Sequence, residues 1–125
     1  MQNKTNETTN PFWGIIKFEI KENGCLNGLW SNTANTTADY LFNEIARKKD
    51  NSEPKNLAGE YFVSWLEANE AAINGTLKII DKSNSYELEW FDKENKSCYK
   101  GKGLKIEKDL LVAVYWKTGE TITWK

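Results

Sequence analysis

Histidine is absent from this 125-residue chain, which also has only two cysteines, two prolines and one methionine. Without histidine the chain lacks the commonest general base at neutral pH and the commonest metal ligand. Cys25 and Cys98 are too few for a zinc site or a disulfide framework. We therefore expect no metal, no cofactor and no enzymatic activity, and we expect both cysteines to be thiols.

An excess of one charge is also missing, because 17 lysine and arginine residues face 18 aspartates and glutamates. Arg47 is the single arginine, and the lysines are scattered along the chain without forming a basic patch. Such a chain has no net field that would attract nucleic acid, a membrane surface or another polyanion. We expect neither nucleic acid nor a membrane as a partner.

Long apolar runs are absent, since no stretch approaches the roughly 20 residues of a membrane helix. The first ten residues, MQNKTNETTN, are polar where a signal peptide would need an apolar core. We expect a cytoplasmic protein, or a secreted one if an export signal has been removed from the sequence. Residues 1–10 predict a disordered arm. Residues 11–125 predict a single domain, because domains cluster near roughly 100–150 residues.

Apolar and polar residues alternate with a period of two along most of the chain from residue 12 onward. This period is typical of β-strands, and turn-rich connectors such as KENG and DKSN favour antiparallel hairpins. The predicted strands cover residues 12–20, 25–31, 59–67, 73–81, 85–92, 96–108, 109–116 and 120–125.

The segment from Thr37 to Lys49 departs from this period. Its apolar residues recur at helical spacing, and Thr36 with Asp39 resembles a capping box. These apolar residues are Ala38, Leu41, Phe42, Ile45 and Ala46. The sequence therefore predicts an all-β fold, an eight-stranded antiparallel up-and-down barrel with one amphipathic helix inserted after strand 2.

The stretch YELEW, residues 86–90, raises the question of whether its two acids form a catalytic pair. The four-residue loop KENK after it places Trp90 opposite Tyr99 on one face of the hairpin and Glu89 opposite Lys100 on the other. Apolar residues then meet apolar residues or glycine and acids meet lysines, which supports this register. We expect Glu87 and Glu89 to belong to an exposed charge ladder.

Other turns set the register of the remaining hairpins. We expect tight turns at Lys82–Ser83 and at Lys108–Asp109, and a three-residue loop with Gly119 in the left-handed conformation. The expected pairs are Ile79 with Tyr86, Leu77 with Leu88, Lys78 with Glu87, Trp116 with Gly101, Val114 with Gly103, Val114 with Ile122, and Val112 with Trp124.

The predicted inward face is rich in aromatic residues. An eight-stranded barrel is just wide enough to be filled by side chains or to hold one small ligand. Gly28, Gly101 and Gly103 also face inward, where glycine marks a bend or a close approach. The interior is therefore either a filled core or a pocket at one barrel mouth. The candidate ligand-binding residues are Trp30, Trp65, Trp90, Trp116 and Trp124 for stacking and Tyr61, Tyr86 and Tyr99 for hydrogen bonding.

Apolar residues also form an outward stripe, in which Leu104 is expected beside Ala113 and Ile106 beside Leu111. Contiguous exposed apolar surface usually has a use. Either the predicted helix covers this stripe or a second subunit does, so the protein is expected to be a monomer or a homodimer.

Several motifs resemble those of known barrels. GCLNGLWS, residues 24–31, is similar to the second strand of avidins. GEYFVSW, GTLKI, YELEW, YKGKG and DLLVAVYW, within residues 59–116, resemble a set of small bacterial barrel proteins of undefined role, some labelled fibronectin-binding. The resemblance implies a streptavidin-like or lipocalin-like barrel of the calycin type. Biotin binding is not implied, because Trp30 and Asn32 stand where an avidin has a tyrosine and a serine.

Two functions follow from these observations. The first is a non-enzymatic barrel that binds a small, apolar or planar molecule at an aromatic-lined mouth. The second is a protein-interaction module with a side-chain-filled barrel, which uses the outward apolar stripe and the helix as its binding surface.

Overall fold

A computed structural model of the protein describes residues 11–35, 41–50, 52–66 and 72–119. The described residues form eight β-strands: β1 (Gly14–Ile20), β2 (Cys25–Asn32), β3 (Phe42–Lys48), β4 (Gly59–Leu66), β5 (Ala72–Asp81), β6 (Tyr86–Asp92), β7 (Ser97–Glu107) and β8 (Leu110–Lys117). Each strand pairs antiparallel with the next, and β8 pairs with β1, which closes the barrel. The predicted all-β, eight-stranded antiparallel barrel is confirmed.

Burial alternates along the strands, because successive side chains of a strand point to opposite faces of the sheet. The inward side chains form one core cluster. Its buried members are Ile16, Phe18, Leu26, Trp30, Phe42, Ala46, Leu57, Tyr61, Val63, Trp65, Leu77, Ile79, Leu88, Trp90, Leu111, Ala113 and Tyr115. The core therefore lies inside the barrel.

The predicted helix over residues 37–49 is wrong for the part that the structure describes. Phe42–Lys48 forms strand β3, which pairs with β2 and β4. Its inward positions are Phe42, Glu44, Ala46 and Lys48. Two of these four residues have ionisable side chains, which hides the apolar period of two. The outward Ile45 produced the apparent helical spacing instead. Residues 37–40 lie outside the described residues.

Two further expectations fall on residues that are not described, namely the arm over 1–10 and the strand over 120–125. The barrel closes without this strand, because β3 supplies the eighth member. Gly119 does have the expected left-handed conformation, with φ of 86°. Within the described ranges no helix has the length and apolar character needed to cross a membrane.

The register predicted for β6 and β7 is confirmed. Trp90 pairs with Tyr99, Glu89 pairs with Lys100, and Leu88 pairs with Gly101. The acids of YELEW are thus on the outer face, where Glu89 also accepts a hydrogen bond from Ser97 Oγ at 2.7 Å.

The register predicted for β5 and β6 is wrong by two residues, although every side chain stays on its predicted face. Ile79 pairs with Leu88, and Asp81 pairs with Tyr86. The connection is therefore a four-residue loop, in which Asp81 Oδ1 accepts a hydrogen bond from the backbone of Ser83 at 2.8 Å. Ser83 has a positive φ of 76°. Aspartate in such a turn stabilises a longer loop than the two-residue tip that we expected.

The register predicted for β7 and β8 is wrong by one residue over most of its length. The tight turn is present, since Glu107 pairs with Leu110, but the register shifts between Lys105 and Glu107. A β-bulge at this point inserts one extra residue, which inverts the faces of all later pairs. Gly101 therefore pairs with Tyr115 rather than with Trp116.

The inverted face changes the composition of the core. Leu111, Ala113 and Tyr115 point inward. The predicted inward residues of β8, which are Val112, Val114 and Trp116, lie on the outer face instead. The expected neighbours of the outward stripe, Ala113 and Leu111, are consequently core residues.

Neighbouring atoms occupy the space beside the inward glycines. A Cβ atom at Gly101 would lie 2.7 Å from the backbone oxygen of Val114 and 3.2 Å from the Trp90 ring. A Cβ atom at Gly28 would lie 2.8 Å from the Phe18 ring. These glycines therefore permit close packing of aromatic rings, which leaves most of the interior occupied by side chains.

One end of the barrel, which we call the loop end, is covered by the connection between β3 and β4. The buried Lys48 donates hydrogen bonds from Nζ to the backbone oxygens of Glu53 and Asn56. Tyr61 Oη donates to the backbone oxygen of the buried Leu57 at 2.6 Å. These bonds satisfy polar groups that burial would otherwise leave without partners.

Candidate functional site

A cavity of about 30 Å³ lies near the other end of the barrel, which we call the cavity end. Here β2 ends at Asn32 and β3 begins at Phe42. The lining residues are Ile16, Trp30, Asn32, Glu44, Trp65, Trp90, Tyr99 and Tyr115. This space exceeds the roughly 10–15 Å³ that one water molecule requires, so it has room for a small group.

Five aromatic rings line this cavity, and they contact one another mostly edge to face. Tyr99 and Tyr115 have ring centroids 5.6 Å apart at 84°, and Tyr99 and Trp65 have theirs 6.4 Å apart at 72°. Trp90 lies 5.6 Å from Tyr115. In an edge-to-face contact the electropositive edge of one ring meets the electron-rich face of the other.

Glu44 supplies the carboxyl group among the described residues that line the cavity. It is 4 % exposed, and its neighbours in the barrel wall are Gly28 on β2 and Trp65 on β4. Trp90 Nε1 donates a hydrogen bond of 2.7 Å to Glu44 Oε2. Because β6 and β3 are not adjacent strands, this bond crosses the barrel interior.

Burial changes the protonation of Glu44. Loss of hydration raises the pKa of Glu44 from its ordinary 4.5 to about 8, and the hydrogen bond from Trp90 opposes part of this rise. Most Glu44 side chains are therefore protonated and neutral at pH 7. Lys48, the other charged inward residue of β3, is four residues away, roughly 13 Å along the strand, and does not neutralise the carboxylate.

Polar side chains from two further strands complete the cavity. Asn32 Nδ2 donates a hydrogen bond of 3.1 Å to Tyr115 Oη. The Tyr115 ring reaches this position because it lies over Gly14, where a Cβ atom would overlap it. Trp30 Nε1 donates to the backbone oxygen of Asn43 at 3.3 Å, which fixes the indole against the wall.

The structure brings four of the eight predicted site residues together, namely Trp30, Trp65, Trp90 and Tyr99. Tyr61, Tyr86 and Trp116 do not line the cavity, and Trp124 lies outside the described residues. The cavity also contains residues that the sequence did not indicate, and these are Glu44, Asn32 and Tyr115.

Tyr61 and Tyr86 lie toward the loop end rather than at the cavity. Burial, and to a smaller extent the neighbouring Tyr86, raises the pKa of Tyr61 to about 12. Tyr61 therefore stays protonated across the physiological range and keeps its hydrogen bond to Leu57.

Trp116 does not line the cavity. Trp116 is half-buried on the outer face, where it pairs with Lys100 beside the charge ladder. The bulge at the start of β7–β8 pairing causes this placement. Trp124 lies outside the described residues.

Glu44 was missed for the same reason that β3 was mistaken for a helix. An inward glutamate and an inward lysine interrupt the apolar alternation between Phe42 and Ala46. Buried and exposed positions alternate strictly along β3, and this alternation is the signal that could have identified Glu44. A hydrophobicity pattern alone does not display it, because two of the buried residues are ionisable.

The described residues contain no group of three or more histidine, cysteine, aspartate or glutamate side chains arranged to hold a metal ion. What the cavity offers is a buried carboxyl group, an amide, two phenols and three indoles. Such a set can stack on a small group and exchange hydrogen bonds with it.

In comparisons with known proteins, no family profile, no curated protein and no solved structure matches this chain. The closed eight-stranded antiparallel barrel is the architecture that a calycin-type fold would have.

Proposed function

We propose that this protein is a non-enzymatic, calycin-type binding protein that holds a small planar or apolar group in the cavity at one barrel end. The observation that carries the proposal is the enclosure of a space by five aromatic rings around a buried carboxyl group. Three indoles line this one cavity among the described residues, and the N–H groups of Trp30 and Trp90 are bonded to the backbone of Asn43 and to Glu44.

The cavity volume limits what can be bound. At about 30 Å³ it takes only a small group without movement of the rings, so a lipid or pigment would have to displace several of them. The favoured ligand therefore presents a compact head group to Glu44 and leaves any larger part outside the barrel.

Tryptophan fluorescence tests this proposal, with the full-length protein titrated against lipids, pigments, cofactors and small head-group compounds. We expect a saturable change that the substitution Trp65→Phe reduces, because Trp65 lines the cavity. The matched substitution Trp116→Phe removes an indole from the outer face and should leave the dissociation constant unchanged. Saturable binding that depends on Trp116 and not on Trp65 would contradict the proposal.

A second candidate function, protein interaction, is favoured by an exposed apolar stripe on β7, β8 and β1. Its members are Ile15, Leu104, Ile106 and Val114, whose exposed fractions lie between 43 % and 57 %. Val114 pairs with Ile15 across β8 and β1, so the stripe continues from strand to strand. Contiguous apolar surface of this kind is suited to a second copy of the chain.

Size-exclusion chromatography with light scattering tests this second candidate. A homodimer that the substitution Leu104→Lys converts to a monomer would support the stripe as its interface. A monomer at all protein concentrations would exclude a homodimer through this surface.

A further inference from the structure

Among the described residues, the cavity combines one carboxyl group with an aromatic wall, and this combination indicates the chemistry of its ligand. Resting on the binding function proposed above, we propose that the cavity takes a small planar organic cation, a guanidinium or amidinium group, and that its binding displaces the proton of Glu44. The exchange is balanced, because the neutral carboxyl group loses H⁺ to solvent as the cation enters, and no other bond is made or broken.

The charge of the cavity supports a cation. Among the described residues that line it, Glu44 is the one with a side chain that can carry full charge near neutral pH. An anion would find no positive charge among these side chains. A cation gains from the carboxyl group and from the rings, since aromatic rings attract positive charge to their faces.

The other ionisable groups of the interior do not compete for this role. The inward titratable side chains are Lys48 on β3, Tyr61 on β4, Tyr86 on β6, Tyr99 on β7 and Tyr115 on β8. Lys48 is held at the loop end by backbone oxygens. β1, β2 and β5 present no acid or base among their buried core residues. Proton exchange on binding is therefore assigned to Glu44.

The shape of the group follows from the partners of Glu44. Trp90 already occupies one side of the carboxylate, at Oε2, so the remaining lone pairs accept donors from the ligand. A guanidinium or amidinium group presents parallel N–H donors in one plane and stacks on aromatic rings. It is also more weakly hydrated than an ammonium group, which reduces the cost of its burial.

The burial of Glu44 gives this binding a characteristic pH dependence. Because the pKa of Glu44 in the free protein is about 8, only a minor fraction is ionised at pH 7. The cation must then drive off the proton, since an opposite charge in contact stabilises the carboxylate. As the pH rises toward this pKa, the affinity for the cation should increase about ten-fold per pH unit. Above the pKa the affinity should level off.

Isothermal titration calorimetry of the full-length protein tests the inference with methylguanidinium and its neutral isostere, methylurea. We expect close to one proton released per methylguanidinium bound at pH 7, seen as a dependence of the binding heat on the ionisation enthalpy of the buffer. Methylurea should bind at least about ten-fold more weakly and release no proton, because it provides no charge to pair with Glu44.

Variants assign the proton to its residue. Glu44→Gln should abolish both the proton release and the pH dependence, whereas Glu87→Gln, the same change on the outer face, should alter neither. Trp90→Phe keeps the carboxyl group and removes its donor, so affinity should level off at a higher pH than in the native protein. This second variant keeps the assignment testable if Glu44→Gln does not fold.

The outcomes separate the inference from the function on which it rests. Binding of methylurea as tight as that of methylguanidinium, or cation binding without proton release, overturns the cation assignment and leaves a small-ligand protein. Failure of every compound, charged or neutral, to perturb the cavity indoles overturns the proposed function itself.

Discussion

Glu44 and Lys48 are charged residues at inward positions of one strand, and they are satisfied in different ways. Lys48 donates to two backbone oxygens of the loop that covers it, so its charge is solvated by the fold. Glu44 receives a hydrogen bond from Trp90, and burial keeps it mostly neutral at pH 7. A buried ionised carboxylate without further partners would cost several kcal/mol, so protonation is the cheaper state.

Glu44 should make stability depend on pH. Its folded-state pKa of about 8 lies above the ordinary 4.5, so the folded protein holds a proton that the unfolded chain releases. The stabilisation is complete below about pH 4.5 and is lost as the pH rises toward 8. Between these values the contribution of Glu44 to the free energy of unfolding should fall by roughly 1.4 kcal/mol per pH unit.

Urea unfolding of the native protein and of Glu44→Gln across this pH range measures that slope. As the pH rises, the native protein should lose stability relative to Glu44→Gln, because glutamine cannot ionise. The exposed substitution Glu87→Gln is the control and should follow the native protein. A difference that stays constant with pH would show that Glu44 has an ordinary pKa.

Lys48 should matter to the loop end rather than to the cavity. Lys48→Met keeps most of the apolar stem but leaves the backbone oxygens of Glu53 and Asn56 without their donor. We expect a loss of about 1–3 kcal/mol in the free energy of unfolding, together with faster amide exchange in residues 52–58. Lys55→Met, an exposed change in the same loop, should cost less than about 0.5 kcal/mol. Equal effects of the two substitutions would contradict this role.

At the scale of the element, the sequence predicted most strands and one register correctly, and failed where residues conflict with simple alternation. The β6–β7 register followed from acid meeting lysine and aromatic meeting glycine. The β5–β6 loop was misjudged because an aspartate turn replaced a two-residue tip. The β7–β8 register depends on a bulge, and no residue type marks a bulge when the extra position is an ordinary isoleucine.

Part of the candidate site could be predicted from the sequence, namely the residues that follow the apolar alternation of their strands. Trp30, Trp65, Trp90 and Tyr99 follow from apolar alternation on their strands. Glu44 and Tyr115 do not, because one interrupts the apolar period and the other depends on the bulge. The residues that distinguish this cavity from a plain core are thus the ones that break the pattern from which the core is predicted.

Deletion of Ile106 tests the importance of the bulge. Ile106 is the extra residue between the paired Lys105 and Glu107, and it is 57 % exposed. Its loss would turn Trp116 inward and Tyr115 outward, so we expect destabilisation by more than about 3 kcal/mol or failure to fold. Ile106→Thr retains the bulge and should change thermal stability little, as measured by circular dichroism. A deletion as stable as Ile106→Thr would mean that the register does not depend on this residue.

At the scale of the whole molecule, the barrel is asymmetric. Its loop end is covered by the β3–β4 connection and filled by Leu57, Tyr61 and Lys48. Its cavity end encloses a small space against Glu44. In the proposed function, recognition takes place at the cavity end.

The central claim is that the ligand binds in the cavity at Glu44. Proton–nitrogen correlation spectra of the indole N–H groups, recorded during titration with methylguanidinium, test it most directly. We expect the Trp90 signal to move most, because its N–H is bonded to Glu44, with smaller shifts for Trp30 and Trp65. The signals of Trp13 and Trp116, on the outside of the barrel, should stay in place. Shifts confined to Trp13 and Trp116, with Trp90 unmoved at saturation, would contradict a binding site inside the barrel.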